Sequence, residues 1–558
     1  MAHTESGTDV RTTVLANRAP EQPDPDGSGG PAVEAEQTAT GTAVAGSPAP
    51  TDAEPGTGEG DRRPPGTDGP EAAEGSEVLR HPDLGRLPGV EGGPQLADVW
   101  VYKGRAYDLT DWISKHPGGE FFIGRSKNRD ITSIIGSYHA NVEAVERMLE
   151  KYALDRDAVI EDVHPKNNAP DFLFTERFDS WRDTPKYDFG RRTDLLHAIK
   201  KRLRGKDIQA KLKRLDRWFN IVAAVLFIAY FAVQGLRLYD TSWMPLPAFV
   251  ILMVMLRSSL AGFGHYAIHR AQKGATKVLV NAFDMNYVAL SFVTADGHAL
   301  LHHPHTQSEV DIKKNVFTFM MDLPRWYRIP IHTIHKFGHA VTGMTFRLID
   351  VCNLTRKVGI AQMYGSARGG LPHFIGAFGM RFLLLAEMIA FIVAGDFWAW
   401  LLQFVVTMWI STFLVVASHD FEMDADEVET DTDDWAINQL EQAYDLKITG
   451  IRYVDCFLSA GLSSHRVHHV LPYQRSGFAN IWCEDLVAEE AARFGVEWLP
   501  AKSFVADRFP KQVVTYLGAK SRTAQENDWG FFREHFSPTM LKTCADYTVK
   551  GFTGVGTV

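Results

Sequence analysis

Four apolar runs, each long enough to cross a lipid bilayer as a helix, constrain this chain more than any other feature. They are Trp218–Leu236, Trp243–Gly264, Gly376–Ala394 and Phe397–Ser418. A bilayer core takes about 20 apolar residues in a helix. Four such runs are rare in a soluble chain, where they would have to be buried core helices. Arg257 interrupts the second run near its end, and the third holds the acid Glu387. Charges in such places usually face other helices or a polar cavity, although Arg257 can equally snorkel to the interface. Flanking charge orients the runs. KRLRGKDIQAKLKRLDR before the first and HRAQKGATK after the second are basic, while the far-side connections LRLYDTS and AGD carry a single Arg237. The positive-inside rule then predicts four spans, paired as two hairpins, with both chain ends in the cytosol.

The remaining composition narrows the choices. Of 558 residues, positions 1–78 hold 15 Asp/Glu against 4 Lys/Arg, ten prolines and no aromatic residue. Such a stretch cannot bury enough apolar surface to offset chain entropy, so a disordered tail is expected there. The start, MAHTESGTDVRTT, has no apolar core, so no secretory signal is expected. The rest of the chain is close to neutral, which argues against a nucleic-acid partner. Cys352, Cys456, Cys483 and Cys544 are too few and too scattered for a disulfide framework.

Fourteen of the 21 histidines lie between 265 and 469. His265 and His269 are spaced i, i+4, as are His298 and His302, with His303 adjoining; His419 follows the fourth run, and His465, His468 and His469 are spaced i, i+3, i+4. On a helix that spacing puts side chains on one face. One pair alone is a weak signal. Span parity adds the stronger one, because the first five follow two crossings and the last four follow four. Nine imidazoles therefore fall on one side of the membrane, enough for two metal ions. Imidazole suits iron, zinc, copper and nickel; zinc has no redox chemistry. His305 reads equally as a partner of a ligand or as surface. His332, His335 and His339 read as the face of an interfacial helix, and His373 and His535 as ordinary.

Ahead of the first run lies VWVYKGRAYDL, then His116 in His-Pro-Gly-Gly, then His139, 23 residues on. Proline and two glycines force a turn that leaves the imidazole facing a pocket. Two histidines on two short helices can ligate one haem iron from opposite sides. An electron-carrying haem next to the histidine boxes favours iron as their metal.

Residues 79–155 resemble cytochrome b5, and 79–500 resemble membrane fatty-acid desaturases carrying that domain at the N-terminus. The resemblance rests on HPGG, the boxes His265–His269, His298–His303 and His465–His469, and the segments DDWAINQLEQAYDL and HHVLPYQRSGFANI. It implies haem b on His116 and His139 and a di-iron centre on His265, His269, His298, His302, His303, His419, His465, His468 and His469. The implied activity is O2-dependent desaturation of an acyl chain, as acyl-CoA or acyl-lipid, with electrons from an NAD(P)H-dependent reductase. A hydroxylase or acetylenase on the same scaffold stays open. His465 stands where b5-fused members acting toward the carboxyl end usually carry Gln, so regiochemistry does not transfer. The acidic insert at 422–435 reads as a solvated loop or a docking surface for a basic partner.

The expected architecture is mainly α: a tail at 1–78, an α+β haem domain at 79–157, a basic linker at 158–214, a four-helix transmembrane bundle with the histidine boxes at 215–475, and a cytosolic cap at 476–558. A metal transporter would instead need polar residues inside several spans, and a membrane-anchored electron carrier would leave nine clustered imidazoles without use.

Overall fold

The computed structural model describes residues 99–157, 187, 194–288, 298–307, 311, 320–346, 349, 370–419 and 434–553, apart from positions 128, 272 and 344. The chain divides into two units, Met1–Glu74 and Gly75–Val558. The first of these, the expected tail as a whole and most of the acidic insert lie outside the described residues.

The second unit begins with a three-stranded antiparallel sheet, β1 (Trp100–Tyr102), β2 (Arg105–Tyr107) and β3 (Ala153–Asp157). Lys103 and Gly104 turn between β1 and β2 with φ of 50° and 75°, a left-handed conformation that glycine adopts without strain. Three helices pack on the sheet: α1 (Glu120–Arg125), α2 (Thr132–Tyr138) and α3 (Val142–Leu149). The Asn141 side chain accepts from the Ala144 N–H and so starts α3. Trp100, Tyr107, Leu109, Ile131 and Leu149 form the core between the layers.

Next come α4 (Leu195–Leu203), α5 (Lys206–Tyr239), α6 (Leu246–Ile268), α7 (Arg328–Gly338), α8 (Gly370–Val393) and α9 (Phe397–Ala417). Among the described residues α5, α6 and α9 are long and apolar enough to cross a membrane. The third predicted run lies in α8, a helix of 24 residues. Only 22% of the apolar window of α5 is buried, and Val225, Ile228 and Phe231 stand exposed on it, as side chains facing acyl chains would.

Arg257 does not snorkel. It is buried on α6, where Nη2 donates to Glu387 Oε2 on α8 at 2.5 Å and Nε to Gln403 Oε1 on α9 at 2.9 Å. Tyr230 on α5 donates to the same carboxylate. The pair thus ties four helices together, and removing either partner would strand an uncompensated charge. A second buried pair, unanticipated from sequence, joins Arg381 on α8 to Asp284 at 2.6 Å. The 280–286 turn that carries Asp284 lies directly against α6. A Cβ on Gly264 would come within 2.0 Å of the Phe283 backbone nitrogen. Gly264→Ala is therefore expected to force the turn away from α6 and destabilise by about 1–3 kcal/mol, read as a lowered Tm in detergent.

The helices that follow include α10 (Trp435–Glu441), α11 (His465–Val470), α12 (Gly477–Arg493) and α13 (Pro538–Thr553). The Ser476 hydroxyl starts α12 by accepting from the Ala479 N–H, and it donates to Asp216 on α5 at 2.6 Å. The expected interfacial face on α7 is covered instead. His332 and His335 are buried against α13, their Nδ1 atoms 2.7 Å from the Tyr547 hydroxyl and the Tyr547 carbonyl. His339 is buried as well. Their helical spacing reflects packing against α13, which lies too far along the sequence for local periodicity to reveal.

Candidate metal centre and haem pocket

Two groups of histidines converge where α6, α9 and α11 meet. One ring nitrogen from each of His265, His269, His298, His303 and His468 lies within 4.8 Å of the others, and the same holds for His302, His419 and His469. His465 adjoins the second group, its Nε2 3.0 Å from His469 Nε2. All nine side chains are buried.

The division between the groups differs from the one the spacing suggests. His298 and His302, four apart, go to different groups, while His298 and His303, five apart, meet with Nε2 atoms 3.2 Å from each other. The reason is local. Residues His298–His302 form a single π turn, closed by the His303 N–H donating to the His298 carbonyl at 3.2 Å. An i to i+5 turn aligns positions five apart. On α11, an ordinary helix turn, His468 faces the first group, and His465 and His469 face the second.

Most rings are oriented through Nδ1, which leaves Nε2 turned inward. His265 Nδ1 lies 3.2 Å from the Ala460 carbonyl, His419 Nδ1 2.8 Å from that of Gln442 and His465 Nδ1 3.1 Å from that of Ser418. His302 Nδ1 is 2.9 Å from Asp311 Oδ2, and His469 Nδ1 is 2.8 Å from Gln439 Oε1. Gln439 also accepts from the Thr306 hydroxyl at 2.8 Å. His269 Nδ1 meets the Tyr138 hydroxyl at 2.9 Å. His468 is different, since both of its ring nitrogens are buried without a hydrogen-bond partner among the described residues. A buried polar atom left so costs about 1–3 kcal/mol, which suits a ring meant for an ion.

Burial, then the neighbouring imidazoles, push His303, His465, His468 and His469 well below the usual histidine range. They are neutral, the form a metal takes. Burial alone would raise Asp311, but the His302 ring beside it, the Gln307 N–H and His419 together hold its carboxyl below the ordinary range. His305 is buried yet belongs to neither group.

The orienting groups escaped the sequence reading. Gln439 sits in a segment singled out without its role being visible, Asp311 is nine residues from its histidine, and Tyr138 precedes His139. No spacing rule reports such contacts.

In the front domain His116 and His139 face each other with ring centroids 6.2 Å apart. His116 Nδ1 donates to the Gly119 carbonyl at 2.8 Å and His139 Nδ1 to that of Ile135 at 3.2 Å, so each presents Nε2 to the gap. The gap fits one iron between two imidazoles. Burial lowers His116, and burial followed by the nearby His116 takes His139 down to about 4. The Gly-Gly of the turn is required. Gly119 has φ of 92°, and a Cβ on Gly118 would sit 2.7 Å from the His116 ring.

Comparison with known proteins agrees with both halves. A family model described as fatty acid desaturase matches residues 241–476, and one described as cytochrome b5-like heme/steroid binding domain matches 91–156. The chain is similar to the probable Delta(5) fatty acid desaturase C of Dictyostelium discoideum, 23% identical over 67% of this chain and 82% of that protein. It is similar to acyl-lipid (8-3)-desaturase B of the same organism, 22% identical over 68% and 82%. The front domain is similar to a cytochrome b5-related protein of Drosophila virilis, 43% identical over 11% of this chain and 41% of that protein. No solved structure matches the chain.

Proposed function

The chain belongs to the fatty acid desaturase family, with a cytochrome b5-like domain ahead of the membrane region, and from that premise we propose how its residues divide the work. It is a membrane protein that acts on a fatty acyl substrate. His265, His269, His298, His303 and His468 would hold one iron, and His302, His419, His465 and His469 a second. The observation that carries this assignment is the pair of buried imidazole groups, in each of which one nitrogen per ring lies within 4.8 Å of the others. His116 and His139 would hold haem b, which would supply electron transfer. Bound iron would supply the O2 reduction that removes two hydrogens from adjacent methylenes and yields water.

The remaining roles fall to side chains. Asp311, Gln439 and the carbonyls of Ser418, Gln442 and Ala460 fix ring orientation, and the apolar bundle beside the site takes the acyl chain and excludes water. α8 joins α5, α6 and α9 as the fourth span, which puts both ends and the metal centre on the cytosolic side, where basic residues 200–217 meet anionic lipid. Electrons come from an NAD(P)H-dependent reductase. The acyl-lipid naming of similar proteins supports a lipid-bound acyl chain over a CoA thioester.

Product analysis by mass spectrometry after expression with fatty substrates tests this reading. Loss of two hydrogens from the acyl chain is expected; gain of one oxygen would favour a hydroxylase. Asp311→Asn, which leaves His302 in place but loosens its orientation, is expected to weaken iron retention against a chelator by about 10–100-fold, with haem content unchanged.

A further inference from the structure

The haem pocket and the metal centre are not merely parts of one chain; one side chain joins them. Tyr138 ends α2 immediately before His139, whose ring faces His116 across the haem gap. Its hydroxyl lies 2.9 Å from His269 Nδ1, and its ring stacks on the His269 ring with centroids 6.0 Å apart and planes 14° from parallel. His269 belongs to the five-histidine group. The contact is seated in a built interface. Lys200, buried on α4, donates to the carbonyls of Gly136 and His139. Phe121 on α1 packs with Ala267, Ile268 and Phe283 of the membrane region. Arg204 pairs with Glu143 on α3 at 3.1 Å.

We infer that Tyr138 is the contact through which electrons enter the metal centre, and that they enter at the five-histidine group rather than at the group containing His302, His419 and His469. The inference rests on the proposed haem and iron assignments. The route is short and continuous: from the His139 ring through one peptide link to the Tyr138 side chain, then across one hydrogen bond to His269. With His269 Nε2 on an ion, Nδ1 carries the proton and donates to the Tyr138 oxygen. Tyr138 then passes one electron at a time. With both groups bound, the step would move a single electron from the haem, as donor, to iron held by the five-histidine group, as acceptor. No proton moves, and the NAD(P)H-dependent reductase restores the ferrous haem. Tyr138 acts through His269 and is a positioning residue, not a catalytic one.

The test uses the iron- and haem-loaded full chain. Haem is reduced under anaerobic conditions, and its reoxidation by the metal centre is followed by stopped-flow absorbance. Tyr138→Phe keeps the ring and removes the hydroxyl. It is expected to slow reoxidation on the order of tenfold or more, the scale on which small losses of positioning act on rates. Haem spectrum and the rate of haem reduction by the reductase should not change, and rates are compared at equal iron content, because the hydroxyl also orients the His269 ring. The magnetic relaxation of the ferric haem signal by the neighbouring irons should also persist, since the domain stays docked through Lys200 and Phe121. Wild-type reoxidation in Tyr138→Phe would overturn the inference, and so would loss of the relaxation effect, which would reduce the hydroxyl to a docking anchor. If Tyr138→Phe does not retain haem, Tyr138→His tests the same contact, because an imidazole there stops short of the position the hydroxyl occupies against His269. Slowed reoxidation with haem bound would then support the route, and wild-type reoxidation would overturn it. Failure of wild-type, iron-loaded protein to reoxidise its haem would refute the di-iron reading itself, a separate outcome.

Discussion

His468→Ala is expected to abolish product formation and strip iron from the five-histidine group while the haem spectrum persists. His468 is the ring on which that group closes. Its centroid lies 4.5 Å from that of His265 and 4.6 Å from those of His269 and His303. It contributes nothing visible to protein-only hydrogen bonding, because neither ring nitrogen has a partner among the described residues. Alanine there deletes a proposed ligand and leaves a small void. The loss of iron should exceed the roughly 10–100-fold typical of losing a group that merely orients a ligand. Folding should survive better than activity, since the ring makes no bond that holds two elements together. Iron content, haem absorbance and acyl product measured on one preparation check all three statements. Unchanged turnover would remove His468 from the centre.

His116→Ala is the complementary case. It removes one of the two imidazoles proposed to hold the haem and is expected to eliminate low-spin haem absorbance, with iron at the histidine groups retained. The asymmetry follows from how the two sites are built. His116 hangs on its own turn, held by the Gly119 carbonyl, and touches no member of the nine-histidine set among the described contacts. Electron supply through the fused domain should fall to background, so product forms only if a separate cytochrome b5 or a chemical reductant is added. Loss of both metals together would show that the sites are not independently held.

The two variants divide the chain along a line already legible in the sequence. His-Pro-Gly-Gly, a second histidine 23 residues on, and the boxes beside apolar runs are local patterns, each set by a few neighbouring residues. Local patterns report secondary structure and residue type, so helices, runs and candidate ligands could be read directly. What they could not report was partition. His298 and His302 look like one pair until a π turn substitutes His303 for His302 beside His298. Nothing in HALLHH distinguishes a π turn from an α turn, because the difference depends on what the turn packs against. Long-range partners were equally hidden. Asp311 for His302, Gln439 for His469, Tyr547 for His332 and Tyr138 for His269 are all products of tertiary structure. Arg257 shows the same limit from another side. Its sequence position allowed either an interfacial or a buried charge, and Glu387 on another helix decided the matter.

Metal counting on the purified full chain reaches the centre of the account most directly. Total iron by mass spectrometry and haem by pyridine haemochrome, on the same sample, should give two non-haem irons for every haem, and His468→Ala should lower the non-haem iron alone. A preparation that is active on acyl chains yet contains iron only as haem would contradict it.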